Sequence, residues 1–168
     1  LSNRATYTVL PKAIQDAVNE VTTFDTQYTL QIEEVDPEWP TFKFRYKRNM
    51  EAAQSVLDWL RTNKPDVVVV PNGTILEFGI VFRVAKYLKI PVMTYEFSDQ
   101  KETFWLGQNS EIMRQDTTGM WNAWKDTKLT REQLTRIQAL FESRQQAKTS
   151  ENFTRQWQST PAQGNESV

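Results

Sequence analysis

The chain contains no cysteine and no histidine. Disulfides, thiolate chemistry, histidine-based triads and the usual zinc-binding sets are therefore excluded, and proton transfer falls to carboxylates, lysine or tyrosine. Charge of either sign is not in excess: 20 Lys and Arg stand against 21 Asp and Glu, a net charge of -1. A basic nucleic-acid-binding surface has no support in that balance, and no nucleic-acid partner is expected. Only 5 of the 168 residues are glycine, and no G-x-G-x-x-G or G-K-[ST] run occurs, so neither a dinucleotide fingerprint nor a phosphate-binding loop is present. No apolar run approaches the roughly 18 residues of a membrane span. The polar start "LSNRATYTV" lacks the layout of a secretory signal, and a soluble, cytoplasmic protein is expected.

What is present is a pattern of alternating strands and helices. "DVVVVP", residues 66 to 71, is a short β-branched run between Pro65 and the turn Pro71-Asn72-Gly73, and reads as a strand buried on both faces. Upstream, Phe42, Tyr46, Met50, Ala53, Leu57 and Leu60 recur at spacings of three and four, which predicts a helix over residues 46 to 63. Downstream, Thr74 followed by Glu77 matches a T-x-x-E capping box and opens a helix to about Leu88. "PVMTYEF", residues 91 to 97, is the next strand, so the two strands and their helix form a parallel βαβ unit. "TQYTLQIEEV", residues 26 to 35, is expected to add a strand, after a helix over residues 11 to 24. The fold class expected is α/β: a Rossmann-like three-layer α/β/α domain with a mainly parallel sheet over residues 1 to 148. Thr130 with Gln133 forms a second capping box, opening a helix to about Lys148 whose stripe Leu134, Ile137 and Phe141 faces a core. Residues 149 to 168 are polar and read as a tail or interdomain linker, with Phe153 and Trp157 as exceptions.

In open α/β sheets ligands bind beyond the carboxyl ends of the strands, which directs attention to Asn72, Gly73 and Thr74 and to the stretch from Glu96 to Gln100. Glu77 falls on the side of its helix shared with Val81, Val84 and Leu88, opposite Arg83, Lys86 and Lys89. It either caps its own helix or serves as a carboxylate base at the crevice. Glu96 and Asp99 flank the end of the second strand, where a carboxylate binds or deprotonates a sugar hydroxyl, or simply caps and solvates. Trp105, Trp121 and Trp124 offer faces for stacking on sugar rings, or fill the core beneath a long connection. The base and aromatic alternation "KFRYKR", residues 43 to 48, is read as a solvated element end before a phosphate grip, and Asp116 in "RQDTTGMW" as a turn cap.

The stretch "PDVVVVPNGTILEFGIVFRVAKYLKIPVMTYEFSDQ", residues 65 to 100, resembles the amino-terminal, acceptor-side domain of GT-B-type glycosyltransferases of the surface and capsular polysaccharide type. In these a "PDVV" strand, an "NG" turn, a helix and an "IPVV-Y-E" strand follow one another. The resemblance implies an acceptor site lined by Asn72, Gly73, Thr74, Asp99 and Trp105, with Glu77 and Glu96 as catalytic carboxylates and no metal. It also implies no cofactor in this chain itself, a nucleotide sugar for the full-length enzyme, and a carboxyl-terminal donor-binding domain as partner. A glycan or lipid-linked acceptor and peripheral association with a membrane follow from the same likeness. The glycine-rich amino-terminal loop that faces donor phosphates in that family is not found here. Two other classes stay open: a stand-alone domain binding a small nucleotide or sugar, and a non-catalytic interaction module.

Overall fold

A computed structural model of the chain describes residues 9 to 98 and 103 to 146; Asp99 and the 149 to 168 tail, with Phe153 and Trp157, lie outside the described residues. The element order is α1 (Lys12–Leu30), α2 (Pro40–Asn63), β1 (Val68–Pro71), α3 (Leu76–Tyr87), β2 (Val92–Phe97), β3 (Phe104–Gln108), a 3-10 turn (Ile112–Arg114), α4 (Thr118–Trp124) and α5 (Arg131–Gln145). The residues divide into two compact units, one comprising the chain to Glu96 together with Trp105–Gln115, the other Phe97–Phe104 and the part from Asp116 onward.

The first unit is an α/β structure whose described residues form a three-stranded sheet of order β1-β2-β3. β1 and β2 are parallel, with Val68 beside Val92, Val69 beside Met93, Val70 beside Thr94 and Pro71 beside Tyr95. β3 returns antiparallel: the Ser98 N–H donates to the Thr103 carbonyl and the Asn109 N–H to the Val92 carbonyl, two pairs with the same sum of residue numbers. The expected βαβ unit is present, and β2 begins one residue later than expected.

The strand expected over residues 26 to 35 is instead the last turns of α1 and the loop after it. "TQYTL" has β propensity, but tertiary burial decides the outcome. Val18, Val21, Thr22 and Asp25 form one buried helical stripe. The hydroxyls of Thr22, Thr23 and Thr26 return to the carbonyls of Val18, Asn19 and Thr22 at 2.7, 3.0 and 2.8 Å, so the threonines are satisfied within the helix. α1 ends at Gln31, whose φ of 55° and N–H bond to the Gln27 carbonyl make a left-handed cap. With that strand gone, the repeating β-α-β-α-β order is replaced by two helices ahead of β1. α2 ends at Asn63 as expected but starts at Pro40, so "KFRYKR" lies in its early turns, with Lys43 paired to Glu38 and Arg48 to Glu77.

The core lies where α1, α2 and α3 meet the inner face of the sheet, from Ile14, Val18 and Val21 through Ala53 and Leu57 to Val70, Ile80 and Val92. β1 is not buried on both faces. Val70 is 3 % exposed, whereas Val69 is 65 % exposed and Val67, just before the strand, 46 %. A parallel strand at a sheet edge lacks the second neighbour and second layer that would cover its outer side.

In the second unit, α5 has the expected capping box, with Thr130 accepting from the Gln133 N–H and Gln133 returning to the Thr130 N–H. Its stripe is not buried: Leu134, Ile137 and Phe141 are all exposed, as are Trp121 and Trp124. An amphipathic pattern records a capacity to bury a face and does not supply the partner. Asp116 accepts the Thr118 N–H at 2.9 Å, the turn role expected of it. Bonds from the Thr118 side chain and backbone hold its carboxyl below the ordinary 3.8.

Candidate functional site

The carboxyl ends of β1 and β2 meet at one rim. Pro71 and Tyr95 are register partners, and the Asn72 N–H continues the ladder to the Tyr95 carbonyl at 2.8 Å. Beyond that bond the backbone departs from common conformations, with φ of 31° at Asn72, 80° at Gly73 and 54° at Leu76. Gly73 is required twice over: its φ is left-handed, and a Cβ there would lie 2.8 Å from the Thr94 methyl carbon. Thr94 itself is fully buried, and its hydroxyl donates to the Ser110 carbonyl at 2.7 Å, tying the turn after β3 to the sheet beneath the rim.

Thr74 does not cap α3, and Glu77 does not complete a capping box. Ile75 is the cap residue and makes no side-chain bond. Two other acceptors take the orphan N–H groups of the first turn. The Asn72 Oδ1 accepts from Thr74 at 2.8 Å and from Ile75 at 3.4 Å, and the Asp25 Oδ1 accepts from Leu76. Asp25 is 1 % exposed, and its second oxygen accepts from Asn49 of α2 at 3.1 Å. One carboxylate thus links α1, α2 and the start of α3. A polar group so deep is tolerated because each oxygen faces a donor.

Glu77 is released by this arrangement for another partner. Its carboxylate pairs with Arg48 of α2, and the side chain is 44 % exposed, so it is not on a buried face. Arg83, expected on the solvated face, is the more enclosed residue, at 11 %. Its guanidinium donates to the Gly73 carbonyl at 3.2 Å, to Glu111 at 3.0 Å and to Glu20 at 2.9 Å. Glu111 also accepts from the Thr74 hydroxyl at 3.1 Å, and Arg114 completes the cluster 3.6 Å from Glu111 and 3.7 Å from Glu20, its guanidinium over the Phe24 ring. α3 packs against α1, α2 and β1 together, so it has no single buried face by which to sort these side chains.

The other expected site residues are placed as follows. Glu96 lies on β2 one residue past Tyr95, and the antiparallel register puts Trp105 of β3 opposite it, the tryptophan being 55 % exposed. Asn72, Gly73, Thr74 and Glu96 therefore share the rim, Trp105 borders it, and Glu77 sits one turn into α3 on the α2 side. Asp25, Arg83, Glu111 and Glu20 went unrecognised in the sequence. Asp25 alone carries a readable signal, a carboxylate four residues after Val21 on an otherwise apolar helical stripe. Among the described residues no cluster of His, Cys, Asp and Glu is placed to hold a metal ion, and no helix is long and apolar enough to cross a membrane.

The chemistry on offer is that of hydroxyl recognition. Arg48, Arg83 and Arg114 are each paired with a glutamate, which leaves those guanidiniums poorly suited to capturing a phosphate. Carboxylates, an amide, a hydroxyl and an exposed indole suit a neutral polyhydroxylated ligand better.

The ion cluster also sets a pH dependence. The bond from Arg83 holds the Glu20 carboxyl below its ordinary 4.5 against the opposing effect of burial, and the charges of Arg83 and Arg114 and a bond from Arg114 add to the lowering. A lowered folded-state value means that the contribution to stability is complete above 4.5 and is lost as pH falls through 4.5 towards that lower value. Glu20→Gln should accordingly flatten the acid limb of a melting-temperature profile below about pH 4.5 relative to wild type. An unchanged acid limb would show that the pairing does not couple to folding.

Comparison with family models, curated proteins and solved structures gives no match to this chain.

Proposed function

We propose that this chain is the acceptor-side domain of a GT-B-type glycosyltransferase, binding a glycan or lipid-linked acceptor at the rim formed by Asn72, Gly73, Thr74, Glu96 and Trp105. The observation that carries this reading is the parallel pairing of β1 and β2, which brings the Asn-Gly turn and the Glu96 strand end to a common edge. Ligands of open α/β sheets bind at such edges. The exposed Trp105 and the neutralised arginines favour a sugar over a nucleotide there. In this reading Glu96 and Glu77 are the carboxylates that deprotonate an acceptor hydroxyl, and Arg48 orients Glu77. The nucleotide sugar belongs to a carboxyl-terminal donor-binding domain, and the enzyme works in the cytoplasm, at the membrane surface where the acceptor is lipid-linked. The Rossmann-like, three-layer form of the domain belongs to the same proposal and requires further polypeptide over the open sheet face at Val69.

The test is thermal denaturation of the chain with mono- to tetrasaccharides of glucose, galactose, mannose and N-acetylglucosamine, and separately with UDP-glucose. A ligand at ten times its Kd adds about 1.4 kcal/mol to folding stability, a readable rise in melting temperature. A rise with a saccharide and none with UDP-glucose is expected. A rise with UDP-glucose alone would favour a stand-alone nucleotide-binding domain. No rise with either would favour an interaction module, which the exposed Val67 and Val69 also suit.

A further inference from the structure

Among the described residues, β1 is an edge strand without the usual protections of one. The Val68 N–H donates to the Pro91 carbonyl and the Asn72 N–H to the Tyr95 carbonyl, so even-numbered residues of this strand address β2. By the same alternation the N–H and C=O groups of Val67 and Val69 point away from the sheet. No lysine, bulge or inward charge interrupts the run from Val67 to Val70, which is uncharged and β-branched throughout. Beside the edge lies an apolar groove of about 510 Å³ between β1 and α2, lined by Val56, Trp59, Leu60, Val67, Val68 and Val69.

We infer that this edge is an interface between two copies of the chain, joined by antiparallel pairing of β1 with its symmetry mate. The register follows from the two flanking prolines. Pro65 and Pro71 lack N–H groups and fall on the odd-numbered, outward-facing positions. Pairing centred on Val69 would oppose Val67 to Pro71, and pairing centred on Val67 would oppose Val69 to Pro65. Only pairing centred on Val68 lets Val67 and Val69 of each copy exchange both backbone bonds with Val69 and Val67 of the other, using all four of these outward N–H groups and setting Pro65 opposite Pro71, so that neither proline faces a residue that would lose a bond to it. In that register Val68 opposes Val68 as a non-hydrogen-bonded pair, with Cα atoms about 4.5 Å apart. Cross-strand partners share a face, so the second Val68 enters the groove against Val56 and Leu60. The strand complements itself because its bonding window is apolar, uncharged and bracketed symmetrically, as a twofold interface requires. This inference does not rest on the glycosyltransferase reading.

The experiment uses the absence of cysteine. Sedimentation of the 168-residue chain should give a concentration-dependent rise from 19.7 kDa towards twice that mass. Val68→Cys, the only thiol in its chain, should form an intermolecular disulfide on mild oxidation on the order of tenfold faster than Val69→Cys, whose mate is displaced along the strand. Val69→Pro removes an outward N–H and no bond to β2, so it should remain monomeric with an unchanged far-ultraviolet circular dichroism spectrum. A wild-type chain that stays monomeric at roughly millimolar concentration, far above typical dimer dissociation constants, would overturn the inference. Equal crosslinking at positions 68 and 69, or a dimer that survives Val69→Pro, would overturn the register and the edge with it.

Discussion

Asp25→Ala should lower the stability of the first unit by about 3 kcal/mol, because it strands a buried and a part-buried donor at once. The Leu76 N–H and the Asn49 amide both face Asp25 oxygens, in a site where Asp25 is 1 % exposed. For a domain of this size that corresponds to a fall in melting temperature of roughly 6 to 12 °C. Lys12→Ala is the contrast: it breaks a pair with Asp16 in which the side chains are 80 % and 57 % exposed, and should cost less than about 0.5 kcal/mol. Depth and donor satisfaction separate the two carboxylates. Asn49→Ala should be destabilising too, and the double variant should lose less than the sum, since the partners share one bond. The loss should also be local in its onset. Leu76 holds a φ of 54°, a conformation that disfavours a side chain, and the Asp25 bond helps to hold it there. Amide exchange in the first turn of α3 should accelerate more than exchange in its second half.

Gly79→Ala should destabilise by about 2 kcal/mol, although alanine is the better helix former. The propensity gain of an alanine over a glycine inside a helix is about 1 kcal/mol. Against it stands a steric conflict with backbone: a Cβ at Gly79 would run into the Thr74 carbonyl and come within 3.1 Å of the Val21 methyl. Neither neighbour is a flexible side-chain end, so the start of α3 or its packing on α1 must shift, at a cost of about 1 to 3 kcal/mol beyond the propensity gain. Gly119→Ala in α4, where a Cβ would meet nothing within 4 Å, should instead stabilise by about 0.5 to 1 kcal/mol. Paired denaturation curves of the two variants with opposite signs are the expected result. Equal and favourable shifts would mean that the turn over Gly79 yields readily to a Cβ.

These two residues show where sequence reasoning reaches and where it stops. Features carried by neighbours in the chain were legible: the valine quartet with its Asn-Gly turn, the parallel return at "PVMTYEF", the stop at Asn63 and the Thr130–Gln133 capping box. Apart from the pairing of β1 with β2, each depends on interactions within a few residues. Features decided by distant partners were not legible. The Thr74 and Glu77 spacing fits a capping box, yet Asp25, 51 residues away, takes the key N–H, and Glu77 pairs with Arg48, 29 residues away. "TQYTL" became helix because the α1 stripe extends to Asp25 and Thr26, a burial that local propensity does not register. Of the candidate site, the rim residues Asn72, Gly73, Thr74 and Glu96 were found from strand topology. The cluster of Glu20, Arg83, Glu111 and Arg114 beneath them was not, because three elements distant in sequence assemble it.

The proposed function requires a sugar to bind at the edge shared by the carboxyl ends of β1 and β2. Backbone amide shifts recorded while the chain is titrated with the saccharide that most raises its melting temperature locate that site directly. The largest shifts are expected at Gly73, Thr74, Ile75, Glu96 and Trp105, with the indole N–H of Trp105 among them. Shifts gathered along Val67 to Val69 and α2, or none at the Asn-Gly turn at saturation, would contradict the proposed site.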